Sequence, residues 1–195
     1  FIMQNADIAQ DKITLGGKVF TLMTSRNEIS HEVKRLAAEI ERDTEGCTPV
    51  FLCVLNGAFV FAADLLRCIP KDCEVCFVRL ASYEGTSSTG TVKNIMGLNM
   101  DVKGRDVIII EDIIETGRTM QAMKKILAGH EAKSVNIATL VSKPAKLETD
   151  INIRYCGFKM KATDFIVGYG LDYNETYRNL PFVGVLRRSV YSDIV

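Results

Sequence analysis

Short apolar runs that alternate with amphipathic stretches are the feature that most constrains the fold of this chain. Five apolar runs follow one another, at residues 50–55, 74–80, 106–112, 135–141 and 165–170. Residues 58–69 and Thr119 to Ala128 have helical periodicity instead, and Gly129 ends the second helix. Continuous apolar runs suit strands that are buried on both faces, so the pattern predicts an α/β fold with a parallel sheet flanked by helices.

The first residues carry different signals. Residues 13–20 predict two short strands around a Gly16-Gly17 turn. Ser25 and Glu28 have capping-box spacing and begin a helix whose apolar face is Ile29, Val33, Leu36 and Ile40. Since no repeat or long linker interrupts the chain, we expect one domain over residues 1–195. Its core covers about 25–165, and a small subdomain comes from about 1–24 and 166–195.

Charge and hydropathy exclude two classes of partner. The chain has 24 basic and 24 acidic residues, so no overall field attracts nucleic acid or a membrane surface. Its longest apolar stretch, residues 50–63, is shorter than the roughly 20 residues of a spanning helix. The first ten residues do not resemble a secretory signal. We therefore expect a cytoplasmic protein with no nucleic-acid or membrane partner, whose ligands are small molecules held by a local site.

Residues 107–120, VIIIEDIIETGRTM, are the most informative segment. A buried strand ends in Glu111 and Asp112, and a Thr-Gly-Arg-Thr turn leads into a helix. The backbone N–H groups of residues 116–119, the two threonine hydroxyls and the helix dipole together suit a phosphate monoester. The segment therefore predicts a phosphate site at the start of that helix.

The two acids predict a sugar beside the phosphate. Carboxylates only accept hydrogen bonds, and they suit the vicinal hydroxyls of a ribose that stands between two phosphate groups. At about 4 Å and an effective dielectric near 20, one carboxylate also stabilises a positive anomeric carbon by roughly 4 kcal/mol. The alternative is a solvated acidic turn that caps the helix.

Glu111 to Thr119 resembles the phosphoribosyl-pyrophosphate signature of the type I phosphoribosyltransferases. Residues 25–186 resemble the branch of that family that acts on hypoxanthine and guanine. The resemblance implies the type I phosphoribosyltransferase fold, with a small hood from the chain ends. It assigns ribose and phosphate binding to the two acids and to Thr116, Gly117, Arg118 and Thr119.

Residues 54–67, VLNGAFVFAADLLR, are similar to the family's pyrophosphate loop. The resemblance assigns Leu55, Asn56 and Gly57 to pyrophosphate and implies a cis peptide bond at Leu55–Asn56. Many members have Lys or Arg where this chain has Asn56, so one charge contact with pyrophosphate is missing. The alternative is a strand-to-helix turn that needs no ligand.

Residues 81–94, ASYEGTSSTGTVKN, form a long segment without apolar periodicity. Loops of this length in a compact domain are usually functional or disordered. In the family this segment is a mobile lid, and Ser82 and Tyr83 match its Ser-Tyr pair, which closes over the pyrophosphate. Closure excludes water from the anomeric carbon.

The resemblance places purine recognition in two segments. Lys143, in LVSKPAK, matches the lysine that donates to the oxygen at purine position 6. Residues 164–180 nearly reproduce the base-binding and metal-binding stretch. Its assignments are Phe165 and Leu171 on the two faces of the purine, backbone groups of Ile166 and Asp172 at its edge, and Arg178 on pyrophosphate. The carboxylates of Asp172, Glu111 and Asp112 are assigned to Mg²⁺, the implied cofactor.

Glu115 is a departure from the family pattern. The family usually has Asp there, taken to act on purine N7 as the general base. Glu keeps the carboxylate but adds a methylene, and catalytic geometry is sensitive at about 1 Å. Arg118 for the more usual Lys keeps a cation beside the phosphate turn.

The implied activity is purine salvage. The enzyme transfers the 5-phosphoribosyl group from phosphoribosyl pyrophosphate to N9 of hypoxanthine, and of guanine, and releases pyrophosphate. We expect a homodimer or homotetramer. Two alternatives stay open: a non-catalytic relative that binds RNA, against which the zero net charge argues, and an enzyme that prefers xanthine.

Overall fold

The computed structural model describes residues 12–15, 18–82 and 92–186. In chain order, its elements are β1 (Lys12–Leu15), β2 (Lys18–Thr24), α1 (Arg26–Asp43), β3 (Val50–Val54), α2 (Phe59–Arg67), β4 (Glu74–Ser82), β5 (Val92–Met96), β6 (Asp106–Ile114), α3 (Arg118–Gly129), β7 (Ser134–Ser142), a 3-10 helix (Pro144–Lys146), β8 (Tyr155–Lys159), β9 (Phe165–Val167) and β10 (Val183–Leu186). They belong to two compact units, the terminal unit (Phe1–His31 with Thr163–Val195) and the central unit (Glu32–Ala162).

The central unit is built on a six-stranded sheet in the order β5-β4-β3-β6-β7-β8. Strands β4, β3, β6, β7 and β8 are parallel neighbours, and β5 pairs antiparallel with β4 at one edge. Every residue of β3 is buried, which explains its continuous apolar run. The predicted parallel sheet flanked by helices is confirmed.

One apolar run joins a different sheet from the one that the sequence predicts. Residues 165–170 were expected to complete the parallel series, but only Phe165–Val167 form a strand, and β9 pairs antiparallel with β10. Gly168, Tyr169 and Gly170 all have positive φ, so the extended backbone ends at Val167. An apolar run specifies burial and not a pairing partner, and the prediction was wrong for that reason.

The two edge strands β5 and β8 were not predicted. The apolar residues of β8 are a stretch of only four, 155–158, of which three are half-buried, and Lys159 is exposed. β5 lies partly in the segment 81–94 that was expected to be a loop, and β4 extends to Ser82 at the other end. Residues 83–91 of that segment lie outside the described part of the chain.

The terminal unit contains a four-stranded antiparallel sheet in the order β1-β2-β10-β9. β1 and β2 are the predicted pair of short strands, and the sheet joins the two ends of the chain as the family resemblance implies. Its core includes Phe20, Val167 and Leu186. The ring of Tyr177 meets Phe20 edge-on, with centroids 5.2 Å apart.

The helices follow the apolar faces that the sequence predicts. Both the amide and the hydroxyl of Ser25 donate to Glu28 Oε2, and Glu28 N–H donates back to Ser25 Oγ, which confirms the capping box. The buried face of α1 is Ile29, Val33, Leu36 and Ile40. Met123 and Leu127 of α3 pack in the main core of the central unit. Among the described residues, no helix combines the length and apolarity needed to cross a membrane.

The register of the parallel strands brings three turns to one edge of the central sheet. Cys53 of β3 pairs with Ile110 of β6, and Glu111 of β6 pairs with Thr139 of β7. The residues that follow β3, β6 and β7 therefore emerge at the same edge. In such sheets ligands bind at the carboxyl ends of the strands.

Candidate active site

The acid pair lies within β6, which continues past it to Ile114. Both Glu111 and Asp112 are half-buried. Glu111 Oε1 accepts the amide of Asp112 at 3.2 Å, and Asp112 Oδ1 accepts the amide of Ile113 at 2.8 Å. These bonds fix each carboxylate against the backbone of its own strand.

The electrostatics of the pair favour a ligand that brings donors or positive charge. Burial raises the pKa of the Glu111 carboxyl well above its ordinary range, and the neighbouring charge of Asp112 raises it further. Neither acid forms an ion pair with a cation in the described residues. Two carboxyl groups therefore lie together without a counter-charge. Such a donor set fits Mg²⁺ and the hydroxyls of a sugar. The described part of the chain contains no cluster of three metal-ligating side chains.

Gly57 places the loop after β3 directly against the acid pair. A Cβ on Gly57 would overlap Oδ2 of Asp112, so any larger residue would force this carboxylate to move. The peptide bond Leu55–Asn56 is cis, as the resemblance implied. The amide of Leu55 donates to Val78 O at 2.9 Å, which fixes the loop to the neighbouring strand β4.

The turn between β6 and α3 presents the backbone N–H groups of a helix N-terminus, of which Arg118 N–H donates to Thr116 Oγ1 at 3.4 Å. The N-cap Gly117 has φ 78° and supplies no side-chain hydrogen bond to the first turn of α3. A Cβ on Gly117 would overlap Thr149 Oγ1, and the amide of Glu148 donates to Thr116 O at 3.0 Å. The segment after the 3-10 helix thus packs against this turn and supports it. The N-terminus of α3 stays available to an anion.

A cavity of about 210 Å³ collects most of the residues of this turn. It is lined by Glu111, Ile113, Ile114, Glu115, Thr116, Gly117, Thr119 and Met120. Arg118 is also predicted for this site, but it forms an ion pair with Glu148 instead. Asp112 does not line the cavity and lies beside Gly57.

Glu115 lies between two lysines. Its Oε1 pairs with Lys143, whose side chain is only 4% exposed, and its Oε2 is 3.2 Å from Lys146 Nζ. Burial acts to raise the pKa of the Glu115 carboxyl, but the hydrogen bonds and charges of both lysines outweigh it and lower the pKa. The structure thus brings together the predicted general base and the predicted purine-binding lysine.

Sequence reasoning did not find Lys146. The one available signal was its spacing of three residues from Lys143 in KPAK, which in a 3-10 helix places two side chains on one face. The amide of Lys143 also donates to Ile114 O at 2.9 Å. This bond holds the turn that carries Lys143 and Lys146 next to the end of β6.

In the terminal unit, two predicted site residues contact each other. Arg178 Nη2 lies 2.9 Å from Asp172 Oδ1, and it also pairs with Glu175. Arg178 Nη1 donates to Gly170 O at 2.9 Å, so the guanidinium is fixed on one side. Asp172 Oδ2 accepts the amide of Glu175, which orients the carboxylate.

The predicted purine-stacking residues of the terminal unit differ in exposure. Phe165 is 37% exposed, an unusual state for a large apolar side chain, and its ring meets Tyr173 edge-on at 6.0 Å. Ile166 and Leu171 are buried. The side chain of Ser82 and all of Tyr83 lie outside the described residues, so the predicted lid contacts stay a prediction.

The profile of the phosphoribosyl transferase domain family matches residues 25–174. The chain belongs to this phosphoribosyl transferase family. All predicted site residues except Arg178 fall inside the matched range. The acid pair, the turn and the α3 N-terminus described above are therefore in the family's own domain.

Named members of the phosphoribosyl transferase family resemble the chain over most of its length. The chain is 42% identical to the hypoxanthine-guanine phosphoribosyltransferase of Bacillus subtilis over 173 residues, which are 88% of this chain and 96% of that protein. A solved hypoxanthine-guanine phosphoribosyltransferase from Bacillus anthracis is 40% identical, with a TM-score of 0.77 over 85% of this chain and 96% of that one.

A longer member contains the same phosphoribosyl transferase domain. The bifunctional protein TilS/HprT of Listeria monocytogenes is 42% identical over 173 residues, or 88% of this chain. The chain spans only 26% of the length of that protein. The likeness is thus to one part of a two-function polypeptide there, and to nearly the whole protein in Bacillus subtilis.

Proposed function

We propose that the chain is a hypoxanthine-guanine phosphoribosyltransferase. It transfers the 5-phosphoribosyl group of phosphoribosyl pyrophosphate to N9 of hypoxanthine or guanine and releases pyrophosphate. One observation carries the proposal: in a member of the phosphoribosyl transferase family, Glu111, Glu115 and the open N-terminus of α3 line one cavity.

The phosphate and ribose bind along the end of β6. The 5-phosphate takes the N–H groups and hydroxyls of residues 116–119, which the helix dipole favours. The ribose hydroxyls donate to the carboxylates of Glu111 and Asp112. When the bond to pyrophosphate lengthens, positive charge grows on the sugar, and each carboxylate stabilises it by roughly 4 kcal/mol at about 4 Å.

The pair of Lys143 and Glu115 matches one edge of a 6-oxopurine. Position 6 of hypoxanthine and guanine carries an oxygen acceptor next to N7, whereas adenine carries an amino donor there. Lys143 offers a donor and Glu115 an acceptor, and the two groups are in contact. Lys143 therefore donates to the oxygen, and Glu115 accepts the N7 proton as N9 attacks the sugar. In the terminal unit, Phe165, Leu171, Ile166 and Asp172 keep their predicted roles in purine binding.

Glu115 is ionised when the reaction begins. Because the lysines lower the pKa of its carboxyl, the residue is charged at neutral pH and can accept a proton. The same lysines weaken Glu115 as a base. Lys143 therefore has to loosen its hydrogen bond with Glu115 when it donates to the purine oxygen. Binding of the base would then raise the basicity of Glu115 at the moment it is needed.

Magnesium is the proposed cofactor. Glu111 and Asp112, without a described cation partner, would supply the kind of oxygen ligand that this ion prefers, and Asp172 of the terminal unit stays a predicted ligand. When bound, the ion would neutralise negative charge on the diphosphate leaving group. The side chains themselves orient the ribose and keep the leaving group in place.

The assembly and location of the protein are further proposals. We propose a homodimer or homotetramer in the cytoplasm with small-molecule substrates and without nucleic acid or membrane partners. Light scattering coupled to size-exclusion chromatography measures the first of these directly. A monomer at assay concentration would contradict it.

A base-specificity assay tests the proposed function. Purified protein is incubated with phosphoribosyl pyrophosphate, Mg²⁺ and, separately, hypoxanthine, guanine, xanthine, adenine and uracil. We expect nucleotide formation with hypoxanthine and guanine, matched by pyrophosphate release, and none with adenine or uracil. A double variant, Glu111→Gln with Asp112→Asn, should lose turnover by orders of magnitude while its circular dichroism is unchanged. Activity with xanthine but with neither hypoxanthine nor guanine would contradict the proposal. A lack of activity with all five bases would also contradict it.

A further inference from the structure

We propose that Arg79 supplies a cation for the pyrophosphate group. Residue 56, a Lys or Arg in many members of the family, is the uncharged Asn56 in this chain. The inference rests on the proposed function, because it concerns the same diphosphate-bearing substrate. It assigns a binding role to a residue of β4 that neither the sequence motifs nor the cavity lining includes.

The loop after β3 and the strand β4 are connected next to Arg79. Leu55 N–H donates to Val78 O at 2.9 Å, one residue before Arg79. Asn56 follows in the cis-linked turn. This backbone bond fixes the distance between the turn and the base of the Arg79 side chain, so the guanidinium lies within reach of residue 56.

Arg79 lies directly against the residue that departs from the family pattern. Its Nη2 donates to Asn56 Oδ1 at 2.6 Å. The amide oxygen is a neutral acceptor, so the guanidinium keeps its full charge, and its other N–H donors have no partner within the described residues. Where a lysine or arginine at position 56 would project a cation of its own, Asn56 holds the cation of a neighbouring strand.

The local charge balance favours a cation at this loop when a diphosphate binds. Residues 55–58 carry no charge, and the carboxylate of Asp112 lies against Gly57. That carboxylate repels an approaching diphosphate. Within the described residues Arg79 has no acidic partner, it is exposed to solvent, and a guanidinium binds phosphate oxygens in bidentate geometry. Its charge is therefore available to offset the repulsion.

Substitution of Arg79 tests the inference. For Arg79→Gln we expect the KM for phosphoribosyl pyrophosphate to rise about 10-fold or more, because a charge-assisted hydrogen bond is lost. The KM for hypoxanthine should change less than about 2-fold, since the base makes no contact with the loop. Isothermal titration with magnesium pyrophosphate, without any purine, should show the same loss of affinity. Arg79→Lys should retain part of it.

Two further variants separate binding from support of the fold. Arg42→Gln removes an equal charge from α1, where Arg42 lies 3.6 Å from Asp43 on the surface, and should leave both KM values unchanged. Asn56→Lys in the Arg79→Gln background should restore pyrophosphate affinity, because it returns a cation to the loop. A purely structural arginine would not be replaced by a lysine at another position.

The outcomes are distinct from those of the base-specificity assay. Equal losses for both substrates with a lowered melting temperature, no loss of pyrophosphate affinity, or no rescue by Asn56→Lys would each overturn the role of Arg79. If the unmodified protein transfers no phosphoribosyl group yet Arg79→Gln still weakens pyrophosphate binding, the proposed function fails and the anion contact stands.

Discussion

At the scale of single residues, the contact between Glu115 and two lysines is the arrangement that most affects the chemistry. A glutamate reaches about one bond length further than the family's usual aspartate. In this chain the carboxylate of Glu115 contacts Lys143, which is almost fully buried, and Lys146. The carboxylate therefore serves two roles, as a counter-charge for a buried lysine and as the proposed acceptor of the N7 proton.

Replacing Glu115 tests which role dominates. For Glu115→Gln we expect the kcat to fall about 10²-fold or more, because the side chain keeps its size but cannot take a proton. The KM values should change little. Glu115→Asp restores the family residue and should remain active. A normal kcat in the Gln variant with only a lowered melting temperature would show that Glu115 is a counter-charge alone.

We expect Lys146 to contribute, with Lys143, to the acid limit of activity. Its hydrogen bond and charge contribute to the lowered pKa of Glu115, so Lys146→Ala should raise that pKa towards its ordinary value. Glu115 would then become protonated at a higher pH, and the acid limb of the kcat profile should move to higher pH. Lys146→Arg keeps the charge and should keep the profile. An unchanged acid limb in the Ala variant would mean that Lys143 alone controls Glu115.

At the scale of elements, the site depends on loops that are held against strands. The turn after β3 contacts β4 through Leu55 and contacts β6 through Gly57. The turn after β6 is supported by the segment after the 3-10 helix through Glu148 and Thr149. Each turn is thus positioned by a neighbouring element, and its glycine marks the closest approach.

Gly57→Ala tests this positioning. A methyl group there overlaps the Asp112 carboxylate, and we expect a loss of stability of about 1–3 kcal/mol and a marked loss of kcat/KM for phosphoribosyl pyrophosphate. Gly129→Ala is the matched control, because a Cβ at this last residue of α3 meets nothing within 4 Å. It should be neutral or stabilise by about 0.4–1 kcal/mol. Denaturant unfolding and steady-state kinetics on both variants measure the difference. Equal behaviour of the two would contradict the steric explanation.

At the scale of the whole molecule, function and stability oppose each other at the acid pair. Burial and the charge of Asp112 raise the pKa of Glu111 in the folded chain. In the unfolded chain the group titrates near 4.5. The charged form is therefore disfavoured by folding, and the cost grows as pH rises from about that value towards the raised pKa.

Glu111→Gln should stabilise the protein and inactivate it. At pH 4 the side chain at position 111 is mostly neutral in the native chain and neutral in the Gln variant. The free energies of unfolding of the two proteins should therefore be similar. As pH rises to neutrality, the Gln variant should become the more stable of the two, because it avoids the cost of a buried charge. Melting temperatures measured between pH 4 and 8 check the trend. A variant that is less stable than the native chain at pH 7 would contradict it.

The sequence by itself determined most of the backbone plan and the position of the turn to which the phosphate site is assigned. Apolar periodicity predicted β3, β6 and β7, and capping-box spacing predicted the start of α1, because each depends on burial and hydrogen bonding within a short segment. The acid pair followed by Thr-Gly-Arg-Thr predicted a strand, a turn and a helix N-terminus for the same reason.

Only the tertiary structure decided which distant side chains meet. Arg79 reaches Asn56 across 23 residues, and Lys146 reaches Glu115 across 31. Gly57 faces Asp112 only because β3 and β6 are neighbours in the sheet. Strand order and register fix these contacts, and β9 shows that an apolar run does not reveal its partner. The pattern of a sequence encodes how each segment is buried, whereas the pairing of segments is set by how all of them pack together.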